Sequence, residues 1–220
     1  MGGGAMTDHR SEEVLDLWFP DNGHWLDREA HARFWDERMQ GGMDAVICQR
    51  FAGLTEAAAR GQLDHWAETP RGRLALLIAL DQFPRSLWRD TPGAFAQDIK
   101  ACRLALGGVA NGAFDRLAPW EQAFFVISIS HCEGPDHLDR MRMLGPLTDR
   151  IASRLTEPLL DVAEGFRRQT ARVTGIIERF GRHPHRNPVL GRLSTPDEEA
   201  YIDTGDFPHL RKPVEEGAEA

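Results

Sequence analysis

Long apolar runs are missing from this chain. The longest are LALLIAL (Leu74 to Leu80) and AFFVI (Ala123 to Ile127), far short of the roughly 20 residues that a membrane-spanning helix needs. No membrane partner is therefore expected. The opening MGGGAM has neither the basic start nor the apolar stretch of a secretory signal. Cysteine is scarce too: Cys48, Cys102 and Cys132 are an odd number at no metal-ligand spacing. Each stands in an apolar segment, as a small hydrophobe would. Such usage suits a reducing compartment and, with no signal, predicts a cytoplasmic protein. Positive charge is in deficit, with 26 Lys plus Arg against 34 Asp plus Glu and a formal charge of −8. A nucleic-acid backbone would be repelled on average, so no nucleic-acid partner is expected. No Ser elbow, P-loop or dinucleotide fingerprint occurs, since MGGGAM and QGGMD lack a strand–turn–helix context. No cofactor is expected.

What is present is helical periodicity with almost no hairpin signal. Gly and Pro punctuate segments of roughly 10 to 18 residues, the usual span of globular helices. The 220 residues suffice for one domain whose core needs neither disulfide nor metal. The prediction is a single all-α domain over 11–205, with a flexible N-terminus at 1–10 and a frayed acidic tail at 206–220. SEEVLDLWF offers Ser11 as N-cap, Glu12 and Glu13 in the first turn and Pro20 as a stop, with Trp18 and Phe19 as core. TPDEEAYI reads as a capping box of Thr195 and Glu198 with Pro196 at the first helical position.

A weak internal repeat organises the middle. DAVICQRFAGLTEAAARGQLD (Asp44 to Asp64) and DIKACRLALGGVANGAFD (Asp98 to Asp115) both begin Asp, place Cys four residues on, and close on Gly-x-Leu/Phe-Asp. Each precedes a second helix: RGRLALLIALDQF, then PWEQAFFVISISHCE, which starts at Pro119 and bears the stripe Trp120, Phe124, Ile127, His131. The expectation is an irregular helical-repeat bundle of helix pairs, at a spacing longer than the tetratricopeptide unit of about 34 residues.

If the second helices are equivalent, their C-terminal ends share one edge. The first ends in LDQFPR, with Asp81 on the stripe of Leu74, Leu77 and Ile78 and Gln82 and Arg85 just beyond. The second ends in SHCE, with His131 and Glu133. A third helix, on the stripe Val173, Ile176, Ile177, Phe180, ends at Gly181, a left-handed cap, and opens into the loop RFGRHPHRN. The three sites are predicted to meet. Arg179, Arg182 and Arg186, joined by Arg85, would face Asp81, Glu133 and the carbonyl ends of the helices. Gln82, His183, His185 and Asn187 complete the candidate ligand-binding set. Four guanidinium groups against two carboxylates leave room for an anion, because arginine forks suit phosphate or carboxylate. One reading is a binding module for a small anionic ligand or an acidic peptide end. A second is a hydrolase or transferase with His131, Asp81 and Glu133 as acid/base groups and arginines stabilising negative charge. A third is a purely structural salt-bridged clamp. Three histidines among four arginines make a poor cation site, so no metal is expected.

The segments VLDLWFP, GRLALLIALDQFPRSLWRDTPGAFAQD, HCE and RFGRHPHRNPVLGRLSTPDEEAYI resemble the Domain of Unknown Function 924 family of bacterial proteins, from about Val14 to Ile202. The resemblance implies an all-helical fold similar to tetratricopeptide-repeat proteins and implies no activity. Gln122 stands where that family usually has Arg, and Cys132 where it has Ser. The family also has a more acidic segment with a Gln after its His-x-Glu.

Overall fold

Thr69 starts the central helix. Its side chain accepts from the Gly72 N–H, and Pro70 occupies the first helical position, where a missing N–H costs nothing. The helix so begun, α5 (Pro70–Leu77), is buried from Leu74 onward. It continues through a widened π turn, Ile78–Gln82, into α6 (Phe83–Leu87). The computed structural model describes residues 10–208; it is all-helical, with no strand among the described residues.

Around this helix lie α1 (Ser11–Trp18), α2 (Arg28–Met39), α3 (Asp44–Arg50), α4 (Ala52–Ala59), α7 (Asp98–Ala110) and α8 (Pro119–His131). The chain then adds α9 (His137–Ala152), α10 (Leu160–Phe180) and α11 (Pro196–Asp203). Packing runs sideways from α1 to α5, from α5 to α7 and α8, and on through α9 to α10. Trp18 and Phe19 are core, as expected; Trp18 meets Phe83 and Phe124 edge-on at 5.9 and 5.8 Å. The Thr195–Glu198 capping box and the left-handed Gly181 cap are present. The flexible N-terminus and frayed tail expected at 1–10 and 206–220 lie outside the described residues, but for Arg10 and Asp206 to Pro208. Within that stretch Phe207 stacks on His185 at 5.4 Å.

Several expectations are corrected. The first helix of the first repeat unit is not continuous. Phe51 ends α3 and begins α4 in non-helical geometry, burying its ring 5.0 Å from Phe83. The second unit's counterpart, α7, is unbroken. The helix of the first unit does not end near Asp81 either. Pro84 has no N–H to give, and the preceding turn widens so that Phe83 N–H bonds Ile78 O, letting the helix run on. The two stretches therefore differ in the detail of their helices. Cys102 and Cys132 are buried as expected, whereas Cys48 is exposed. No helix among the described residues is long and apolar enough to cross a membrane.

Candidate functional site

The end of α8 is where the basic loop goes. The last carbonyls of a helix have no intrahelical donor and carry the negative end of its dipole. Here three of them receive side chains. Arg140 Nη1 donates to Ile129 O at 3.1 Å, His137 Nε2 and His183 Nε2 both donate to Ser130 O at 3.0 Å, and Arg186 Nη1 donates to His131 O at 2.9 Å. Burial holds His137 below its ordinary value and His183 well below, so both serve as neutral donors.

The widened turn sets the other wall. It buries Asp81 and Gln82 in succession, with Asp81 entirely inside. His131 Nδ1 lies 2.9 and 3.2 Å from the two Asp81 oxygens, across fifty residues of sequence. Gln82 Nε2 also donates to that carboxylate. Arg85 Nη1 donates to Asp81 O and lies 3.3 Å from its Oδ1, while Nη2 meets both oxygens of Asp98 at 2.9 and 3.1 Å. Arg186 Nη1 takes Asp98 Oδ2 at 3.0 Å, and its guanidinium lies 4.5 Å above the Phe95 ring. Burial would depress Arg85, but Asp81 and Asp98 outweigh it and raise the group above its usual value. For Arg186 burial wins and lowers it.

Of the predicted residues, the structure brings together Asp81, Gln82, Arg85, His131, His183, His185 and Arg186. All but Asp81 line one cleft of about 700 Å³. Glu133 is not among them. It accepts from His183 N at 2.7 Å and pairs with Arg192; burial pushes its carboxyl up, but these bonds and the charges of Arg186 and Arg192 bring it below its usual value. Arg182 turns to Glu198 at 2.6 and 2.8 Å. Arg179 is exposed, 4.7 Å over Phe180. Asn187 is buried and donates to Ser194 at 2.9 Å. The expected surplus of guanidinium over carboxylate is thus corrected: Arg85 and Arg186 share Asp98, and Arg192 holds Glu133.

Sequence reasoning missed Asp98, Arg192 and Phe95. Asp98 left a signal, since it opens the second repeat unit and its counterpart Asp44 also takes an arginine, Arg89. Trp18 and Arg186 line the cleft, while their Nε1 and Nε atoms are sealed behind it with no acceptor among the described residues. No group of three His, Cys, Asp or Glu side chains suited to a cation occurs among the described residues. Gln122 lies outside the cleft lining and donates to Phe114 O at 2.7 Å. Cys132 follows His131 in the chain, its thiol drawn below its usual value, chiefly by a hydrogen bond from Cys102.

No curated protein matches the chain. A solved structure, a protein of unknown function, ATU0120 from Agrobacterium tumefaciens, is similar at TM-score 0.63 and 31% identity, covering 89% of this chain and 97% of that one. The model of a family of bacterial proteins of unknown function, DUF924, matches residues 14–206, and the chain belongs to that family.

Proposed function

We propose that the cleft binds a small molecule bearing an anionic or oxygen-rich group, and that His131, oriented by Asp81, transfers a proton on it. The observation that carries this reading is the fully buried carboxylate at 2.9 Å from His131 Nδ1, with the imidazole forming part of the cleft wall. A buried carboxylate on Nδ1 orients the ring and fixes its tautomer, as acid–base work requires. The cleft's size is that of small-molecule sites. Glu133 has no part in this chemistry, because its oxygens serve Arg192 and His183. The free cysteines favour a cytoplasmic setting, and the order of helix pairs favours kinship with tetratricopeptide-like bundles.

The clamp is the second reading, and the pairing of Arg85, Arg182, Arg186 and Arg192 with carboxylates favours it. A thermal-shift screen of small carboxylates and phosphate esters separates the two. A ligand at a hundred times its dissociation constant adds about 2.7 kcal/mol of stability. Hits on wild type that are weakened in His131→Asn support the proposal. An empty screen, or hits indifferent to His131, leaves the clamp.

A further inference from the structure

A second cavity adjoins the cleft. A groove of about 320 Å³ opens among α2, α8, α9 and α10, walled by Trp35, Leu144, Phe166 and Val173, and none of its lining side chains is charged. Met39 and Ile127 line the groove and the cleft alike. Polarity therefore changes abruptly along one surface. On the cleft side stand Arg85, Arg89, Arg186 and His131, with Asp44 and Asp90 among them. Past Met39 and Ile127 the surface is hydrocarbon, aromatic ring and the small polar groups of Ser130, Gln169 and Thr170. Met39, unbranched and adaptable, is suited to shift aside at the junction.

We propose that the ligand is an amphipathic anion, with its charged head in the cleft beside His131 and its apolar chain in the groove beyond Met39 and Ile127. The proposal rests on the reading of the cleft as a ligand site and adds the class of molecule that site takes. Charge complementarity fixes the direction. Four arginines, Arg38, Arg85, Arg89 and Arg186, against two carboxylates, Asp44 and Asp90, line one end, and an uncharged pocket of limited volume lies at the other. A purely polar ligand would leave the groove unused, and a purely apolar one would leave the polar lining of the cleft unmatched.

Gly165 provides the control. It lies on the groove side of α10, and a Cβ built on it meets only Arg168 Nη2, at 3.9 Å. A leucine there fits the helix better than glycine does, and its side chain would occupy groove volume.

The test is calorimetric titration of butanoate, hexanoate, octanoate and decanoate into wild type, Gly165→Leu and His131→Asn, with each fold checked by circular dichroism. Affinity for wild type is expected to tighten about fourfold per methylene buried, until the groove is full. Gly165→Leu should flatten that dependence. His131→Asn should weaken every member by one factor while keeping the slope. Measurable binding with no chain-length dependence in wild type, or an undiminished slope in Gly165→Leu, overturns the amphipathic ligand and spares the cleft reading. No binding of any member removes both. Concentration-dependent self-association that Gly165→Leu abolishes would also overturn the proposal, because it would assign the groove to a second copy of the chain.

Discussion

Two clusters in this molecule bury histidine by opposite means. On the cleft wall, His131 leans on a carboxylate. Under α2, His24 and His31 are just as buried and have no anion at hand. There Trp35 Nε1, which can only donate, gives its proton to His31 Nε2 at 2.9 Å. His31 must then carry its own proton on Nδ1, which lies 2.9 Å from His24 Nδ1. His24 accepts there and keeps its proton on Nε2, buried with no acceptor among the described residues. Protonating either ring sets two N–H groups against each other. The cleft histidine has a carboxylate beside it, and the other pair has only N–H groups that would oppose each other. The first arrangement suits chemistry; the second fixes a core.

The largest effect is expected from removing the cleft's anion. Asp81→Asn leaves Arg85 and His131 without the buried partner they converge on, and breaking such a pair typically costs about 3 to 5 kcal/mol. Chemical denaturation at neutral pH reads it directly. A midpoint equal to wild type would mean that the cluster is solvated.

The second effect belongs to the other cluster. Burial first, with the neighbouring charges of His31 and Arg38 on His24, holds both His24 and His31 down to about 4. The folded pKa lies below the unfolded value, so the unfolded chain binds more protons between the two. Stability is complete above about 6.5 and declines as pH falls toward 4, by up to about 3 kcal/mol for each ring. His137 and His183 add to the same slope. Carboxylates such as Glu198, held down to about 2, weigh in only at lower pH. Denaturation midpoints measured from pH 7 to 4.5 should fall steadily; a flat profile would show that the pair accepts charge after all.

The smallest effect concerns Arg186. Its guanidinium is buried against Asp98, His131 O and Phe95. Arg186→Lys keeps the charge but loses the planar contact, and should cost about 2 kcal/mol in the apo protein. An unchanged midpoint would contradict the burial described for it.

Much of the fold was legible because local chemistry dictates it: the Thr195 capping box, the Gly181 cap, the proline start of α8, and Trp18 as core. The break at Phe51 was not, because it answers to packing against Phe83; Pro84 reads as a helix stop, and the π turn that lets the helix run on past it leaves no pattern in the sequence. At the site, Asp81 and His131 were legible as polar residues on apolar stripes. Asp98 was hidden by its place at the start of α7, where an acid is ordinary helix grammar. Asn187 also went against local preference. A residue before proline favours extended backbone, and His183 obeys, but Asn187 is helical. Its carbonyl accepts from Arg192 N at 2.9 Å and its buried side chain reaches Ser194, so tertiary bonds prevail.

The central claim is that Asp81 holds His131 in one tautomer on a wall that a ligand reaches. Nitrogen NMR of the imidazole tests it most directly, in the apo protein and with octanoate added. The account predicts a protonated Nδ1 bonded to Asp81, lost as a single state in Asp81→Asn, and an Nε2 resonance that moves when octanoate binds. A protonated Nε2 in the neutral apo ring, or an Nε2 signal indifferent to bound octanoate, would contradict it.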